Sequence, residues 1–455
     1  MCVLVSCLKS KLKTGINRSV DFTVKRWAKT LKRGQDPEKV KQMPVFQFVG
    51  KNLEKKTRVY TWGSAETGAL GIANLVKPSD RFKKPRPAVW RPLRLTFFNL
   101  MKVYDVGCGY GFSVFAAVAS DTTKRLFGTG INTDSQIGYH ESENKKFLGV
   151  LIKPSPIDLP IYESTKVKKV SCGRAHTVCL TSDNELFSLG NNAYGQCGRP
   201  IIEKEIFHGS RKVNKIYGID EKVSEVVCGQ DHTLFLTENG SVYSCGWGAD
   251  GQTGLGHYGN AAIPTKVKGD IEGEKIVSLS SSADSVLACN EKGDVFGWGN
   301  SEYNQLHVAT SETQLNIPRH LPLKNIGKVK QVAAGGTMCL VVNESGQVYV
   351  WGYGILGKGP EVAYIKDPSL IPEPLFGCNE FNTDVKVKSV TASLSHCAAI
   401  TNKGDLYMWG RNRNHCLGLD NTNDQFFPLR VPVPITVVKA SLGVDHTVVL
   451  GLSLL

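Results

Sequence analysis

The sequence of 455 residues predicts an all-β fold, a seven-bladed β-propeller. The main observation is a short phrase of aromatic and β-branched residues that ends in glycine and recurs seven times, at intervals of 53 to 67 residues. Each phrase alternates apolar and small residues, which is typical of a half-buried strand. Such self-similarity predicts a propeller or a solenoid, because each unit buries its apolar face only against its neighbours. The phrases end at Gly63, Gly130, Gly190, Gly246, Gly299, Gly352 and Gly410.

A second strand precedes six of the phrases and carries the motif Cys-Gly-x-x-His-Thr, clearest in residues 172–177 and 228–233. The histidine position lies fourteen residues before the phrase glycine, except in the first of the six repeats, which has four extra residues. Turn signals such as Asn-Gly and Lys-Gly separate the two strands, which predicts an antiparallel hairpin. No amphipathic helical pattern intervenes, so the spacing does not favour parallel βαβ units.

The two ends of the array are complementary. The phrase at 59–63 has no preceding histidine strand, and the histidine strand at 443–450 has no following phrase. Pairing of residues 443–450 with residues 58–63 explains both absences and removes exposed sheet edges. A solenoid would instead need polar capping repeats at both ends. We therefore expect a closed ring over residues 46–455.

A turn-rich stretch follows each phrase and closes at a second glycine, eight residues after the first in five repeats. His307 takes the closing position after Gly299, and the repeat at Gly352 is expected to close one residue early, at Gly359. Such glycines supply positive φ or close backbone approach, so they indicate tight connections rather than chemistry.

Together, these motifs resemble the repeats of the regulator-of-chromosome-condensation propeller family, over roughly residues 57–450. Departures at the histidine position (Phe112, Ser285, Met338) and at the preceding glycine (Ser282, Ser393) indicate a divergent branch. The resemblance implies a protein that promotes GDP release from a GTPase through one propeller face. In the mitochondrial branch it implies exchange on a dynamin-related GTPase of mitochondrial fusion. The family's exchange wedge has no residue-by-residue match here.

Most of the positive charge lies in the N-terminal tail. Residues 1–56 carry 14 Lys and Arg against four acidic residues, so they supply +10 of the formal net charge of +14. Val20, Val24, Trp27 and Leu31 share one helical face, and the first 35 residues contain one acid. This composition predicts a mitochondrial presequence and basic linker over residues 1–45. A basic RNA-binding arm, or a membrane-surface helix giving peripheral membrane association, is the alternative.

The cysteines, glycines and histidines of the sequence form no pattern that indicates catalytic chemistry, a metal site or a cofactor. Thirteen cysteines, without a CxxC pair, indicate small buried apolar side chains in a reducing compartment. No apolar run approaches the 18 residues of a transmembrane helix. The glycine run 107–111 lacks the Gly-Lys-Ser/Thr ending of a phosphate loop. Repeat positions are expected to be structural, with each histidine bracing its blade through backbone hydrogen bonds: His176, His232, His396, His446, Trp62, Trp298, Trp351 and Trp409.

One basic segment in the long connection after the first phrase departs from this pattern. It is either a solvated loop or a patch that contacts phosphates, in which Lys and Arg give affinity and Trp stacks on a base. Its candidate residues are Arg81, Lys83, Lys84, Arg86, Trp90, Arg91 and Arg94.

Two functions remain open, both in the mitochondrial matrix or on the matrix side of the inner membrane. The first is guanine-nucleotide exchange on a mitochondrial GTPase. The second, which the resemblance also implies, is an RNA-binding scaffold in ribosome biogenesis. Its partners would be mitochondrial large-subunit rRNA and rRNA-modifying proteins.

Overall fold

The computed structural model describes residues 55–80, 83–119 and 123–453. Residues 1–54, which include the predicted presequence, lie outside the described residues, as does Arg81. The described chain forms seven four-stranded antiparallel sheets. The predicted all-β propeller is therefore confirmed.

Six blades follow the chain order. Blade 1 consists of β3 (Lys102–Cys108), β4 (Phe112–Val118), β5 (Leu126–Ile131) and β6 (Val150–Ile157). Blade 2 consists of β7 (Val167–Cys172), β8 (His176–Thr181), β9 (Leu186–Gly190) and β10 (Asn214–Lys215). Blade 3 consists of β11 (Val223–Cys228), β12 (His232–Thr237), β13 (Val242–Gly246) and β14 (Ala261–Lys266). Blade 4 consists of β15 (Ile276–Ser281), β16 (Ser285–Asn290), β17 (Val295–Asn300) and β18 (Gln314–Leu321).

Blade 5 consists of β19 (Val329–Ala334), β20 (Met338–Asn343), β21 (Val348–Tyr353) and β22 (Tyr364–Ile371). Blade 6 consists of β23 (Val387–Ala392), β24 (His396–Thr401), β25 (Leu406–Gly410) and β26 (Gln425–Val431). Blade 7 joins the two ends of the chain, in the spatial order β27 (Thr436–Leu442), β28 (His446–Ser453), β1 (Lys56–Ser64) and β2 (Ala88–Arg94). Short helices occur only in connections of the described chain: α1 (Ala73–Val76) and the 3-10 turns Thr96–Phe98, Glu373–Phe376 and Arg413–His415.

Ring closure occurs where the sequence predicts it. Strand β1 pairs antiparallel with β28, from Lys56 opposite Ser453 to Gly63 opposite His446. Gly63 has a φ of 102°, and a Cβ there would lie 2.5 Å from the carbonyl oxygen of Asp445. The closing strands therefore approach so closely that this phrase position requires glycine.

The innermost strands (β3, β7, β11, β15, β19, β23 and β27) line a central channel with a cavity of about 480 Å³. Each would expose unpaired backbone N–H groups along its free edge. Side chains of a neighbouring blade satisfy several of these donors. Asp105 Oδ2 accepts from the Val170 N–H at 2.9 Å, and Gln331 Oε1 accepts from the Val390 N–H at 3.0 Å. These bonds stitch the blades together around the channel.

The phrase tryptophans also connect blades. Trp62, Trp298, Trp351 and Trp409 are fully buried. Three of them donate their indole N–H to a carbonyl of the preceding blade, at 2.7 to 3.0 Å: Trp62 to Cys416, Trp298 to Gln252 and Trp351 to Gln305. Trp409 has no such acceptor.

The glycine that packs against Trp409 shows that the closing glycine of blade 5 was predicted at the wrong position. The closing glycines Gly254 and Gly418 lie so close to a tryptophan that an added Cβ would be 2.8 Å or 2.6 Å from its Nε1. In blade 5 the residue in this place is Gly357, 2.9 Å from Trp409 Nε1 by the same measure. The prediction of Gly359 is therefore wrong. The connection is three residues shorter than the common pattern, and Trp409 Nε1 has no hydrogen-bond partner there.

Three of the four repeated histidines hydrogen-bond to a side chain of the next blade and not to backbone, which corrects the predicted partner. His176 Nε2 lies 3.0 Å from Thr233 Oγ1, His232 Nε2 lies 3.1 Å from Ser281 Oγ, and His446 Nε2 lies 2.9 Å from Ser113 Oγ. The preceding glycine makes room for the ring, because a Cβ at Gly173 would lie 2.2 Å from the His176 ring. The Thr233 hydroxyl donates its proton to the Gln196 carbonyl, so His176 must donate through Nε2–H.

His396 is fully buried, and neither ring nitrogen has a hydrogen-bond partner. Where Ser281 accepts from His232, the equivalent residue of the next blade is Leu442. The Thr447 hydroxyl, which corresponds to that of Thr233, donates to the Cys416 carbonyl at 2.8 Å but has no hydrogen bond with His396. A buried polar group without a partner is destabilising.

His396→Met is expected to stabilise the protein by about 1 kcal/mol, because Met338 fills the same position in blade 5 and the unpaired polar atoms are removed. His176→Met is expected to cost about 1 kcal/mol, since it removes the bond to Thr233. Burial also lowers the pKa of His396 to about 4. On acidification the unfolded chain therefore protonates His396 before the folded chain does, which costs the wild-type protein stability below about pH 6.5. H396M lacks this group and should lose less stability than the wild-type protein over the same pH range. Urea unfolding at several pH values checks this; equal losses in H396M and in the wild-type protein would contradict it.

Candidate interaction face

One end of the propeller carries two kinds of connection, of which the first has three residues in every blade and the second varies in length from blade to blade. These are the turns between the first and second strands of each blade and the connections between its third and fourth strands. Because the strands are antiparallel, both sets emerge at the same end. We call this end the loop face. Its longest connections are 65–87, 132–149 and 191–213, in blades 7, 1 and 2.

Four carboxylates lie over blades 1 to 4 of the loop face: Asp134, Asp231, Asp250 and Asp284. We call them the carboxylate arc. Arg174 of blade 2 contacts Asp231 Oδ2 at 2.6 Å. The others are held by amides: Gln252 donates to Asp284 at 2.9 Å, Asn191 to Asp134 at 2.8 Å, and Gln314 to Asp250 at 2.7 Å.

Partial burial sets the electrostatics of the arc. Burial raises the pKa of Asp284 to about 6, and the neighbouring Asp250 and Asp231 add to this effect. Burial also raises the pKa of Asp231, although Arg174 opposes the shift. The pKa of the nearby Tyr110 hydroxyl is raised by burial and by Asp284 and Asp231. The arc therefore holds negative charge in a poorly solvated place, where a cation of a partner would interact strongly.

The long connections of blades 1 and 2 pack against each other. Ser135 Oγ donates to the carbonyl of Phe207 at 2.9 Å, and the rings of Phe147 and His208 meet edge to face at 4.7 Å. The guanidinium of Arg211 lies 3.8 Å from the centre of the Tyr139 ring. These contacts fix the 191–213 connection next to Asp134.

This connection presents apolar side chains to solvent. Ile201, Ile202 and Ile206 are 42%, 52% and 78% exposed. Beneath them Glu205 accepts from Arg199 at 2.8 Å and from Lys212 at 2.9 Å. Burial would raise the pKa of Glu205, but the hydrogen bonds from Arg199 and Lys212 outweigh it and lower the pKa. An ordered apolar protrusion of this kind is typical of a protein-binding surface. We call it the isoleucine protrusion.

The basic segment predicted from the sequence divides into two parts. Lys83, Lys84 and Arg86 are exposed in the β1–β2 connection. Arg94 lies at the far end of β2, where its Nε donates to Asn99 at 2.9 Å. Four residues of extended strand, about 13 Å, separate it from Trp90. The structure does not bring Arg94 together with the rest.

Trp90 and Arg91 contact blade 6. The ring of Trp90 stacks on His415, with 4.4 Å between centroids and 15° between planes, and Trp90 is 49% exposed. Arg91 forms an ion pair with Asp420 at 3.0 Å. One face of the indole predicted to stack on a base is therefore occupied by an imidazole.

Sequence analysis missed the residues that complete this patch. Arg411, Arg413 and His415 belong to the blade 6 connection, more than 300 residues away in the chain, and both arginines are exposed. With Lys83, Lys84, Arg86, Trp90 and Arg91 they form what we call the seam patch. The loop face thus carries the seam patch over blades 6 and 7 and the carboxylate arc over blades 1 to 4.

The glycine run at the end of β3 serves packing. A Cβ at Gly109 would lie 2.1 Å from the Phe112 ring, and one at Gly107 would lie 3.0 Å from Cys172 Sγ. Within residues 55–80, 83–119 and 123–453, no group of three His, Cys, Asp or Glu side chains has the geometry to hold a metal ion. The same part of the chain contains no helix long and apolar enough to cross a membrane.

The fold and the repeated inter-blade contacts define a propeller built from repeats of one family. Models of the regulator of chromosome condensation (RCC1) repeat match residues 57–116, 125–180 and 183–236, and the RCC1-like domain matches residues 221–449. The chain belongs to the RCC1 repeat family.

Two relatives match nearly the whole chain. The RCC1-like G exchanging factor-like protein of mouse is 47% identical over 431 residues, which are 92% of this chain and 93% of the mouse protein. The human protein of that name is 46% identical over 421 residues, 90% of each chain. The crystal structure of human WBSCR16 superposes with a TM-score of 0.81 at 45% identity, covering 87% of this chain and 98% of that one.

Proposed function

We propose that this protein is a guanine-nucleotide exchange factor, without covalent chemistry of its own, that acts on a dynamin-related GTPase of mitochondrial fusion. The similarity along nearly the whole chain to two proteins named as G exchanging factor-like carries the proposal. Fold alone does not fix function, so the surface must also suit the task.

An exchange factor works by differential affinity, because it binds the nucleotide-free GTPase better than the nucleotide-bound form. In GTPases a P-loop lysine and Mg²⁺ hold the phosphates. When the nucleotide leaves, the lysine loses its anionic partner. The carboxylates of Asp231 and Asp284 suit this lysine, since they are already partly desolvated and hold negative charge on the loop face. The isoleucine protrusion, next to Asp134 of the same arc, offers apolar area that binds both nucleotide states.

The mitochondrial location is part of this proposal. The basic, acid-poor N-terminus of residues 1–45 supports it. A fusion of residues 1–45 to a fluorescent reporter is expected to enter mitochondria, and the mature protein is expected to begin between Arg33 and Val45. A nuclear protein that retains Met1 would contradict this location.

The second candidate function is an RNA-binding scaffold in mitochondrial large-subunit rRNA maturation. The seam patch favours it, because exposed Lys and Arg side chains lie beside the half-exposed Trp90 ring. Affinity capture from isolated mitochondria, with and without RNase, separates the two candidates. A GTPase retained after RNase treatment supports exchange, whereas loss of all partners supports the scaffold.

Replacing Lys83, Lys84 and Arg86 with Ala tests the scaffold directly. If single-stranded RNA binds the seam patch, the slope of log affinity against log salt should fall by about two, since each phosphate contact contributes about 0.7. Trp90→Ala should weaken binding by about 1–3 kcal/mol with little change in slope. A matched control removes the same charge from the connections of blades 1 and 2, far from the seam patch in the chain: Lys145, Lys146 and Lys204. Equal slopes in both triple variants would leave the patch as solvated surface.

A further inference from the structure

Three cysteines occupy one repeat position around the central channel. Cys108, Cys172 and Cys228 end the innermost strands of blades 1, 2 and 3 and line the channel cavity. Cys108 is 8% and Cys228 5% exposed, whereas Cys172 is half-buried. Accessibility alone would therefore make Cys172 the most reactive of the three.

Cys108 differs from the other two in its surroundings, because it faces the interface between blade 7 and blade 1. Its Sγ lies 4.0 Å from Ser113 Oγ, which lies 2.9 Å from His446 Nε2. On the other side of the imidazole, Asp445 Oδ1 lies 3.7 Å from His446 Nδ1. A thiol, a hydroxyl, an imidazole and a carboxylate thus form a continuous path from the channel into the interface between blades 7 and 1.

An activated nucleophile has a base within reach and a third group beyond that base. Here the Ser113 hydroxyl bridges the Cys108 thiol and the His446 imidazole, and Asp445 lies beyond the imidazole. The neutral thiol donates to the carbonyl of Ser441 at 3.3 Å. The alternative acceptor for its proton is His446, reached through Ser113. Among the four repeat histidines, only His446 has an ion-pair contact to a carboxylate within the described chain.

The acid–base behaviour agrees with this geometry. Burial disfavours the charged forms of both groups, but the interaction with Cys108 and Asp445 outweighs it and raises the pKa of His446 to about 9. The same interaction with His446 overcomes burial and lowers the pKa of Cys108. Burial instead raises the pKa of Cys172 and raises that of Cys228 to about 12.

We propose that Cys108 is a reactive thiol and a modification site for hydroperoxides and other small electrophiles that enter the central channel, with Ser113, His446 and Asp445 positioning its proton. The site is independent of nucleotide exchange.

The reaction with hydrogen peroxide balances within this cluster. The proton of Cys108 moves to His446, and the thiolate sulfur attacks one peroxide oxygen. The O–O bond breaks, and the departing hydroxide takes the proton from His446. The products are the sulfenic acid of Cys108, one water molecule and neutral His446. Sulfur is oxidised by two electrons, and the peroxide is reduced.

Site-resolved labelling of the full-length wild-type protein tests the proposal without any mutation. The protein is treated with limiting iodoacetamide, or with hydrogen peroxide and dimedone, and each cysteine is quantified by mass spectrometry. Cys108 is expected to react at least about tenfold faster than Cys172, despite its lower exposure. Cys378, which lies outside the channel lining, serves as a surface reference. If Cys172 reacts first, accessibility governs the channel and the proposal is wrong.

A second measurement separates positioning from loosened packing. Asp445→Asn removes the charge next to His446 Nδ1 at constant size. The rate at Cys108 is expected to fall about tenfold while the rates at Cys172 and Cys228 stay constant. A parallel rise of the labelling rates at all three cysteines would mean that the packing between blades 7 and 1 had loosened. An unchanged labelling rate at Cys108 would exclude a role for Asp445. Either result would overturn the proposed cluster.

Discussion

A chain that ends at Leu442 is expected to aggregate rather than form a smaller ring. The truncation removes β28, which pairs with β1 on one side and β27 on the other. It also removes Val448, Val449 and Leu450, each 6% exposed or less. Full burial of such side chains contributes about 1.5–3 kcal/mol each, so their loss alone approaches the net stability of about 5–15 kcal/mol typical of a domain. Two unpaired strand edges would then face solvent.

Size-exclusion chromatography and thermal unfolding monitored by circular dichroism check this expectation. A chain that ends at Ser453 is the matched control, because it keeps the whole of β28. The control should elute as the full-length protein does and unfold at the same temperature. A soluble variant ending at Leu442, with cooperative unfolding near the native temperature, would contradict closure of the ring through blade 7.

The variant D231N/D284N is expected to lower the stimulated rate of GDP release about 100-fold. Each substitution keeps the size of the side chain and removes one charge from the carboxylate arc. A hydrogen bond to a charged group contributes about 1.5–3 kcal/mol, so two such losses in the GTPase complex amount to at least about 3 kcal/mol. The unfolding temperature should change little, since neutral Asn relieves the cost of partly buried charge.

Kinetics of GDP release at several pH values extend this test. Because burial raises the pKa of Asp284 to about 6, the carboxylate is charged at pH 8 and loses its charge below about pH 6. Stimulation by the wild-type protein should therefore fall on acidification, and stimulation by D231N/D284N should fall less. Glu302→Gln is the control, because it removes an exposed charge of the loop face outside the arc. Equal rates for all three proteins would exclude the arc from the exchange surface.

Repeat spacing was sufficient to predict the strands and the way the ring closes, because in blades 2 to 6 the phrase and the histidine strand form a local hairpin with a constant spacing of fourteen residues. The blade 5 connection was mispredicted at Gly359. Counting between glycines could not show that Gly357 is the residue packed against Trp409. The Trp ring and not the spacing decides which glycine closes the turn.

Contacts between blades could not be predicted in the same way. Trp62 and Cys416, which share a hydrogen bond, are 354 residues apart in the chain. The stacking of Trp90 on His415 likewise depends on the neighbouring blade, so the seam patch was predicted without Arg411, Arg413 and His415. The carboxylate arc gave no local signal, because Asp134, Asp231 and Asp284 come from three different blades.

The most direct test of the proposed function is the rate of GDP release from a purified dynamin-related mitochondrial fusion GTPase, loaded with fluorescent GDP and chased with excess GTP. We expect the full-length protein to accelerate release in proportion to its concentration and to bind the nucleotide-free GTPase most tightly. Acceleration should persist after RNase treatment. An unchanged release rate at saturating protein, or equal affinity for the nucleotide-free and GDP-bound GTPase, would contradict the proposal.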